Sequence, residues 1–301
     1  MNPALTGYMA AVLESLDDSA RERVAAGLTS LEETVASSAG LRAALTDTSV
    51  GRVARRAVLA ELLEGKLDAP AARIAAFAAF AASAQDVPVA LADAAQHARA
   101  IAADGLGEEA PVSVLAARKR VGGYATALFE DLHAEALEGV EGELYAWATA
   151  LEDNAALRRA LMNRDLPAPE RAAIARTLLA GRVSSVSVQL ASYAIVGGRA
   201  RDLVGTLQWL VDLVAAERGW RVARVRTAMQ IDEQARSELT TTLRSLVGHP
   251  VELELAIEPR LIGGVIVEVG DLRVDATTKG RLDSILEQLT QDRHPIRAGG
   301  I

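Results

Sequence analysis

Tyr8-Met9-Ala10-Ala11-Val12-Leu13 and its echo Tyr124-Ala125-Thr126-Ala127-Leu128-Phe129 decide how this chain folds. Sliding residues 8–101 forward by 116 positions (124 − 8 = 116) lays them on residues 124–217 without a gap. Leu41-Arg42 falls on Leu157-Arg158, Leu62-Leu63 on Leu178-Leu179, Gly65 on Gly181, Phe77 on Tyr193 and Asp86 on Asp202. The chain has only four tyrosines and is rich in alanine, so the rarer residues carry the argument. A repeat of this length predicts two similar helical domains, not a solenoid, whose units run about 20–50 residues.

Within copy one, Met9, Val12, Leu13 and Leu16 recur at helical spacing, as do Val24, Leu28, Leu31 and Val35. Ser49 is the expected N-cap of a helix through Val53, Ala57, Leu59 and Leu62-Leu63, which Gly65 ends in the left-handed C′ position. In copy two Asp165 takes that cap, Pro167 and Pro169 fall in the first turn, and Gly181 is the stop. Helices over 74–84 and 87–103 correspond to 190–198 and 203–218. Residues 104–118, with Gly105, Gly107, Glu108, Glu109 and Pro111, read as a linker.

After Gly219 the period changes. Val222, Arg224 and Arg226 alternate with Ala223, Val225 and Thr227, and Asp232 caps a helix carrying Ala235, Leu239, Leu243 and Leu246 that Gly248 ends. Val251, Leu253, Leu255 and Ile257 alternate with Glu252, Glu254, Ala256 and Glu258, the pattern of a half-buried strand. Val265, Val267 and Val269 repeat it, and Leu282, Ile285, Leu286 and Leu289 form a final helical stripe. The fold expected is mostly α with a small α/β C-terminal domain: helical bundles over 1–103 and 119–218, then a mixed strand-helix unit over 219–301.

Composition narrows the function. Aromatic residues make up 3% of the chain, too few for the stacking platforms of single-stranded nucleic-acid binding. The net charge of −8 weighs against an extended phosphate-binding surface. Without cysteine there is no disulfide or thiolate chemistry, and His97, His133, His249 and His294 are too scattered for a local metal motif. No cofactor is expected. The start, Met1-Asn2-Pro3-Ala4, lacks the basic and apolar regions of a signal peptide, and the run 74–84 is too short to span a bilayer. The chain is therefore expected to be cytoplasmic, reaching a membrane only through partners.

Catalytic patterns are missing too. Gly105-Leu106-Gly107 lacks the third glycine of a dinucleotide loop and follows a helix instead of a strand. Asp271 and Asp275 are four apart but flank an expected hairpin turn, where aspartate serves the backbone, and Gly263-Gly264 reads as a bulge before a strand. No active site is expected.

Leu261-Ile262-Gly263-Gly264-Val265, Gly270-Asp271, Val274-Asp275-Ala276-Thr277 and Gly280-Arg281-Leu282 together resemble the C-terminal signature of the delta subunit of F-type ATP synthases, the family of the mitochondrial oligomycin-sensitivity-conferring protein. Thr277 stands where that family more often has Ser. Tyr124-Ala125-Thr126-Ala127-Leu128-Phe129, Ala156-Leu157-Arg158 and Gly198-Arg199-Ala200-Arg201-Asp202-Leu203 resemble its helical-domain motifs, so the resemblance runs over 120–290. Copy one is extra, which is similar to the enlarged delta subunits of actinobacteria.

The resemblance implies a non-catalytic stator at the cytoplasmic face of the bacterial cell membrane. Its helical domain would grip the N-terminal helices of the alpha subunits, and its C-terminal domain would hold the b-type peripheral stalk. It places Tyr124, Ala127, Leu128, Glu130, Arg199, Leu203 and Leu207 at the alpha-subunit contact. Gly263, Gly264, Asp271, Asp275 and Arg281 fall in the C-terminal signature or stalk contact. Such a contact is helix-in-groove recognition, by anchors at i, i+3, i+4 and i+7. The competing reading is a tandem helical module that regulates by binding RNA or protein.

Overall fold

The computed structural model describes residues 1–104, 112–247, 251–258, 261, 264–269 and 272–275. They form two compact units: Met1–Glu130 with Glu138–Val214, and Asp131–Leu137 with the chain from Ala215 onward. Copy one lies in the first unit, and so does copy two apart from Asp131–Leu137 and the residues from Ala215 onward.

Copy one runs through α1 (Pro3–Glu14), α2 (Asp18–Ser37), α3 (Ala39–Leu45), α4 (Arg52–Leu63), α5 (Ala69–Ala81), a 3-10 turn at Ala84–Asp86 and α6 (Val87–Asp104). Copy two follows the same order in α7 (Val114–Phe129), α8 (Ala134–Asp153), α9 (Ala155–Met162), α10 (Ala168–Leu179), α11 (Ser185–Val196), a 3-10 turn at Ala200–Asp202 and α12 (Leu203–Arg221). Helix α7 thus starts inside the stretch expected as linker, and residues 105–111 lie outside the described residues.

The same local chemistry sets the boundaries in both copies. Ser38 Oγ accepts from Leu41 N at 3.2 Å, and Asn154 Oδ1 at the matching position accepts from Leu157 N at 3.0 Å. Each satisfies a backbone donor that the first helical turn leaves orphaned. Arg42 Nη1 reaches back to Val35 O at 3.1 Å, and Arg158 Nη1 to Leu151 O at 2.9 Å. A cation is thereby placed on the unpaired carbonyls at the end of the preceding helix, which explains why Leu-Arg recurs.

Gly65 and Gly181 take φ of 69° and 71°, the left-handed conformation expected of them after α4 and α10. The N-caps differ from expectation. Helix α4 begins after Gly51 and α10 after Pro167, neither with a side-chain cap. Ser49 N instead donates to Asp47 Oδ1 at 2.8 Å, and Asp165 N to Asn163 Oδ1 at 3.1 Å. These Asx turns reverse the chain two residues early and consume the residues that looked like caps. Leu16 likewise lies beyond the end of α1 at Glu14.

The core of this unit is Ala, Leu and Val. Leu5, Tyr8, Ile74, Ala78, Ala94, Tyr124, Leu190, Leu207 and Leu210 are all essentially inaccessible to solvent. Short side chains let the helix axes approach closely, which is why so few aromatics suffice.

The second unit holds β1 (Val222–Thr227), α13 (Glu233–Val247), β2 (Glu252–Ile257), β3 (Val265–Val269) and β4 (Leu272–Asp275). The sheet order is β2-β1-β3-β4, with β1 parallel to β2 and antiparallel to β3, and β3 antiparallel to β4. Asp232 caps α13 as expected, its Oδ1 accepting from Ala235 N at 2.8 Å. Ala223, Val225, Leu243, Val251 and Val267 form the core, with Leu239, Leu253 and Val265 packed against it. On the other face Arg226 joins Glu258 and Glu268, at 3.3 and 3.0 Å.

The half-buried reading of β2 holds only at its start. Val251 is buried but Leu255 and Ile257 are 40% and 59% exposed. Among the described strands β2 lies at the edge of the sheet, and the apolar cluster includes Val251 and Leu253 at its start. The stripe Leu282–Leu289 lies outside the described residues.

Candidate functional site

The candidate site begins with two glycines in α1 and α7, which pack along one another. A side-chain carbon on Gly7 would run into the carbonyl oxygen of Arg120, and one on Gly123 into that of Ala4. Arg120 is the repeat equivalent of Ala4 (120 − 4 = 116), as Gly123 is of Gly7 (123 − 7 = 116). Each first helix therefore meets the other through the same residues, as in an isologous dimer, here built from one chain. Only glycine permits this approach of two backbones.

The polar contacts obey the same reciprocity. Tyr8 Oη donates to Glu130 Oε1 at 2.6 Å, and Tyr124 Oη donates to Glu14 Oε2 at 2.6 Å. Glu130 is the repeat equivalent of Glu14 (130 − 14 = 116). Each tyrosine ring is braced from behind within its own copy. Tyr8 stacks on Phe77 of α5 with centroids 4.0 Å apart, and Tyr124 on Tyr193 of α11 at 3.8 Å. A ring held in this way presents its hydroxyl at a fixed point, so the hydrogen bond forms at little entropic cost.

Burial, reinforced by Glu130, raises the Tyr8 phenol well above the usual tyrosine range, and burial with Glu14 does the same to Tyr124. Both phenols stay protonated and act as donors, not as acids or bases.

The two ends of the interface are not identical. Glu130 also receives Arg56 of α4, and Arg73 Nε of α5 at 2.8 Å. Arg73 Nη2 reaches the carbonyl oxygen of Ala127 at 3.1 Å. The positions matching these arginines are Ala172 and Gln189, so copy two has no equivalent pair. Burial works against the charge of Arg73, yet Glu130 and Tyr8 together outweigh it and leave the guanidinium more firmly protonated than usual.

Of the residues expected at the alpha-subunit contact, Tyr124, Ala127, Leu203 and Leu207 are buried within the helical unit. Leu128 and Glu130 are half-buried, and Arg199 is exposed where it precedes the second 3-10 turn. The structure thus brings Tyr124, Ala127 and Glu130 together on the face of α7 that copy one touches. Leu203 and Leu207 belong to α12.

In the C-terminal group, Gly264 has φ of 89°, a conformation that favours glycine just before β3. Asp275 is a strand residue opposite Ile266, in the hairpin of β3 and β4, and so does not sit in the turn itself. Gly263, Asp271 and Arg281 lie outside the described residues.

The sequence reading missed Gly7, Gly123, Glu14, Arg56 and Arg73. The signal for three of them was present. Gly-Tyr-x5-Glu occurs at Gly7-Tyr8…Glu14 and again at Gly123-Tyr124…Glu130. The arginines left no such trace, because they have no counterpart in the repeat.

Comparison with known proteins finds one family and several relatives. The family described as ATP synthase delta (OSCP) subunit matches residues 121–289, which leaves out copy one. An ATP synthase subunit delta of Kineococcus radiotolerans is 33% identical over 253 residues, covering 84% of this chain and 82% of that protein. One from Salinispora arenicola is 29% identical over 93% of both chains. Another, from Nocardia farcinica, is 34% identical over 153 residues, 56% of its own length.

Proposed function

The chain belongs to the ATP synthase delta (OSCP) subunit family, and on that premise we propose that it ties the catalytic head of the enzyme to the peripheral stalk. As a member it is a structural stalk subunit of an F-type ATP synthase, not a catalytic one. In the proposed role it holds the alpha/beta head against rotor torque, so that proton transport drives ATP synthesis. Its helical unit meets the N-terminal helices of alpha subunits, with Tyr124, Ala127, Leu128, Glu130, Arg199, Leu203 and Leu207 forming or backing the contact. Its strand-helix unit meets the b-type stalk, with the signature Gly263, Gly264, Asp271, Asp275 and Arg281.

The observation that carries this reading is the family match over residues 121–289; the first-helix face, filled in this structure by α1, supplies a helix-receiving surface. It is built to receive a helix: glycine at the crossing, a braced tyrosine beside it and a carboxylate seven residues after the glycine. Recognition of this kind needs no acid, base or cofactor. No helix among the described residues is long and apolar enough to cross a membrane, so a place at the cytoplasmic face depends on the stalk.

Deleting the chain in its host should abolish proton-driven ATP synthesis, and the wild-type chain should restore it. Coupled synthesis that persists in the deletion overturns the proposal.

A further inference from the structure

We propose that copy one is a built-in occupant of the helix-binding face on α7, so that a partner helix and α1 compete for it. This rests on the partner reading above for the identity of the competing helix, but not for the occupancy itself.

Tyr124, Ala127 and Glu130, the α7 residues assigned to a partner, are engaged by copy one. Tyr124 donates to Glu14, the Ala127 carbonyl accepts from Arg73, and Glu130 accepts from Tyr8 and Arg73. The occupant's chemistry is therefore visible. It is a helix with a glycine where the backbones cross and a carboxylate two turns further on, bearing a tyrosine that reaches the receiving helix's own glutamate.

The fit is close because occupant and receiver descend from one sequence, each offering the other the groove it carries. The lock is also lopsided. Arg56 and Arg73 of copy one close on Glu130, whereas no matching pair from copy two closes on Glu14. Copy one thus holds α7 more firmly than the repeat alone requires. A second helix reaches α7 only when α1 lifts away, and its apparent affinity is reduced by the fraction of chains in which α1 is seated.

The test uses the full chain and alters copy one alone, leaving α7 intact. Gly7→Leu forces α1 off the Arg120 carbonyl, and Tyr8→Phe removes one hydroxyl while keeping the ring stack on Phe77. Two peptides are titrated by calorimetry: residues 2–15 of this chain, and the N-terminal helix of an alpha subunit. The residue 2–15 peptide should bind Gly7→Leu at least tenfold more tightly than wild type, and Tyr8→Phe by a smaller factor.

Circular dichroism checks that the helices survive, and if Gly7→Leu unfolds, Tyr8→Phe decides. Equal binding of this peptide to wild type and variants overturns the occupancy. An alpha peptide that binds all three proteins equally overturns the competition. If the residue 2–15 peptide responds but the alpha peptide binds none of them, the occupancy stands and the partner reading fails.

Discussion

Gly7 and Gly123 separate two roles of glycine in a helix. Where a side chain would meet another backbone, glycine is required; Gly139 and Gly142 have open space around them and give up only conformational freedom. Gly7→Ala or Gly123→Ala should cost about 3 kcal/mol, the upper end for overpacking, because a backbone carbonyl cannot rotate away. Gly139→Ala and Gly142→Ala should each stabilise by about 0.5–1 kcal/mol. Urea unfolding of the four variants distinguishes the cases, and equal signs at both pairs would refute the backbone crossing.

The tyrosines add a pH signature. A phenol whose folded value is raised contributes stability that is complete below the unfolded value, about 10 for tyrosine, and is lost as pH climbs toward the folded one. The chain should therefore lose stability from about pH 10 upward, and the Tyr8→Phe/Tyr124→Phe variant should lose less over that window. Identical alkaline slopes would contradict the two Tyr–Glu bonds. At this scale the sequence was legible where rare residues repeat, as Tyr8 and Tyr124 do. It was silent on Arg56 and Arg73, whose meaning arises from a partner 74 and 57 positions away.

Among the elements, the ends of α4 and α10 and the pairing of α1 with α7 make separate predictions. Gly65→Ala and Gly181→Ala both place a side chain at positive φ with nothing nearby, so each should cost about 1–2 kcal/mol and by like amounts. A marked inequality would mean that the two stops are not equivalent.

Glu130→Gln should destabilise by about 2–3 kcal/mol, since it weakens one half-buried tyrosine bond and leaves two arginines without their carboxylate. Glu14→Gln, which meets Tyr124, should cost about 1 kcal/mol. Thermal unfolding checks the order, and a reversal would contradict the lopsided lock. The longer helices were readable from the 3.6-residue period and the repeated punctuation, while the short α3 and α9 and the strand β4 were not. The starts of α4 and α10 were not, because Asp47 and Asn163 mimic the cap chemistry one turn early. β2 misled for another reason: alternation records which face could be covered, and its far end is exposed.

For the whole molecule, the duplication was legible but its consequence was not. Two like sequences announce two like folds; that these would close on one another through their first helices depends on a crossing point only the assembled backbone reveals. Family membership was legible through the resemblance of separated motifs, while composition weighed against nucleic-acid binding.

The central claim is that one chain holds head and stalk at once. It is tested most directly by mixing the purified catalytic head, the soluble part of the b-type stalk and the full chain, and measuring assembly by analytical ultracentrifugation. The account predicts that head and stalk sediment together only when the chain is present. Head and stalk that stay apart in its presence, or join equally well without it, would contradict the account.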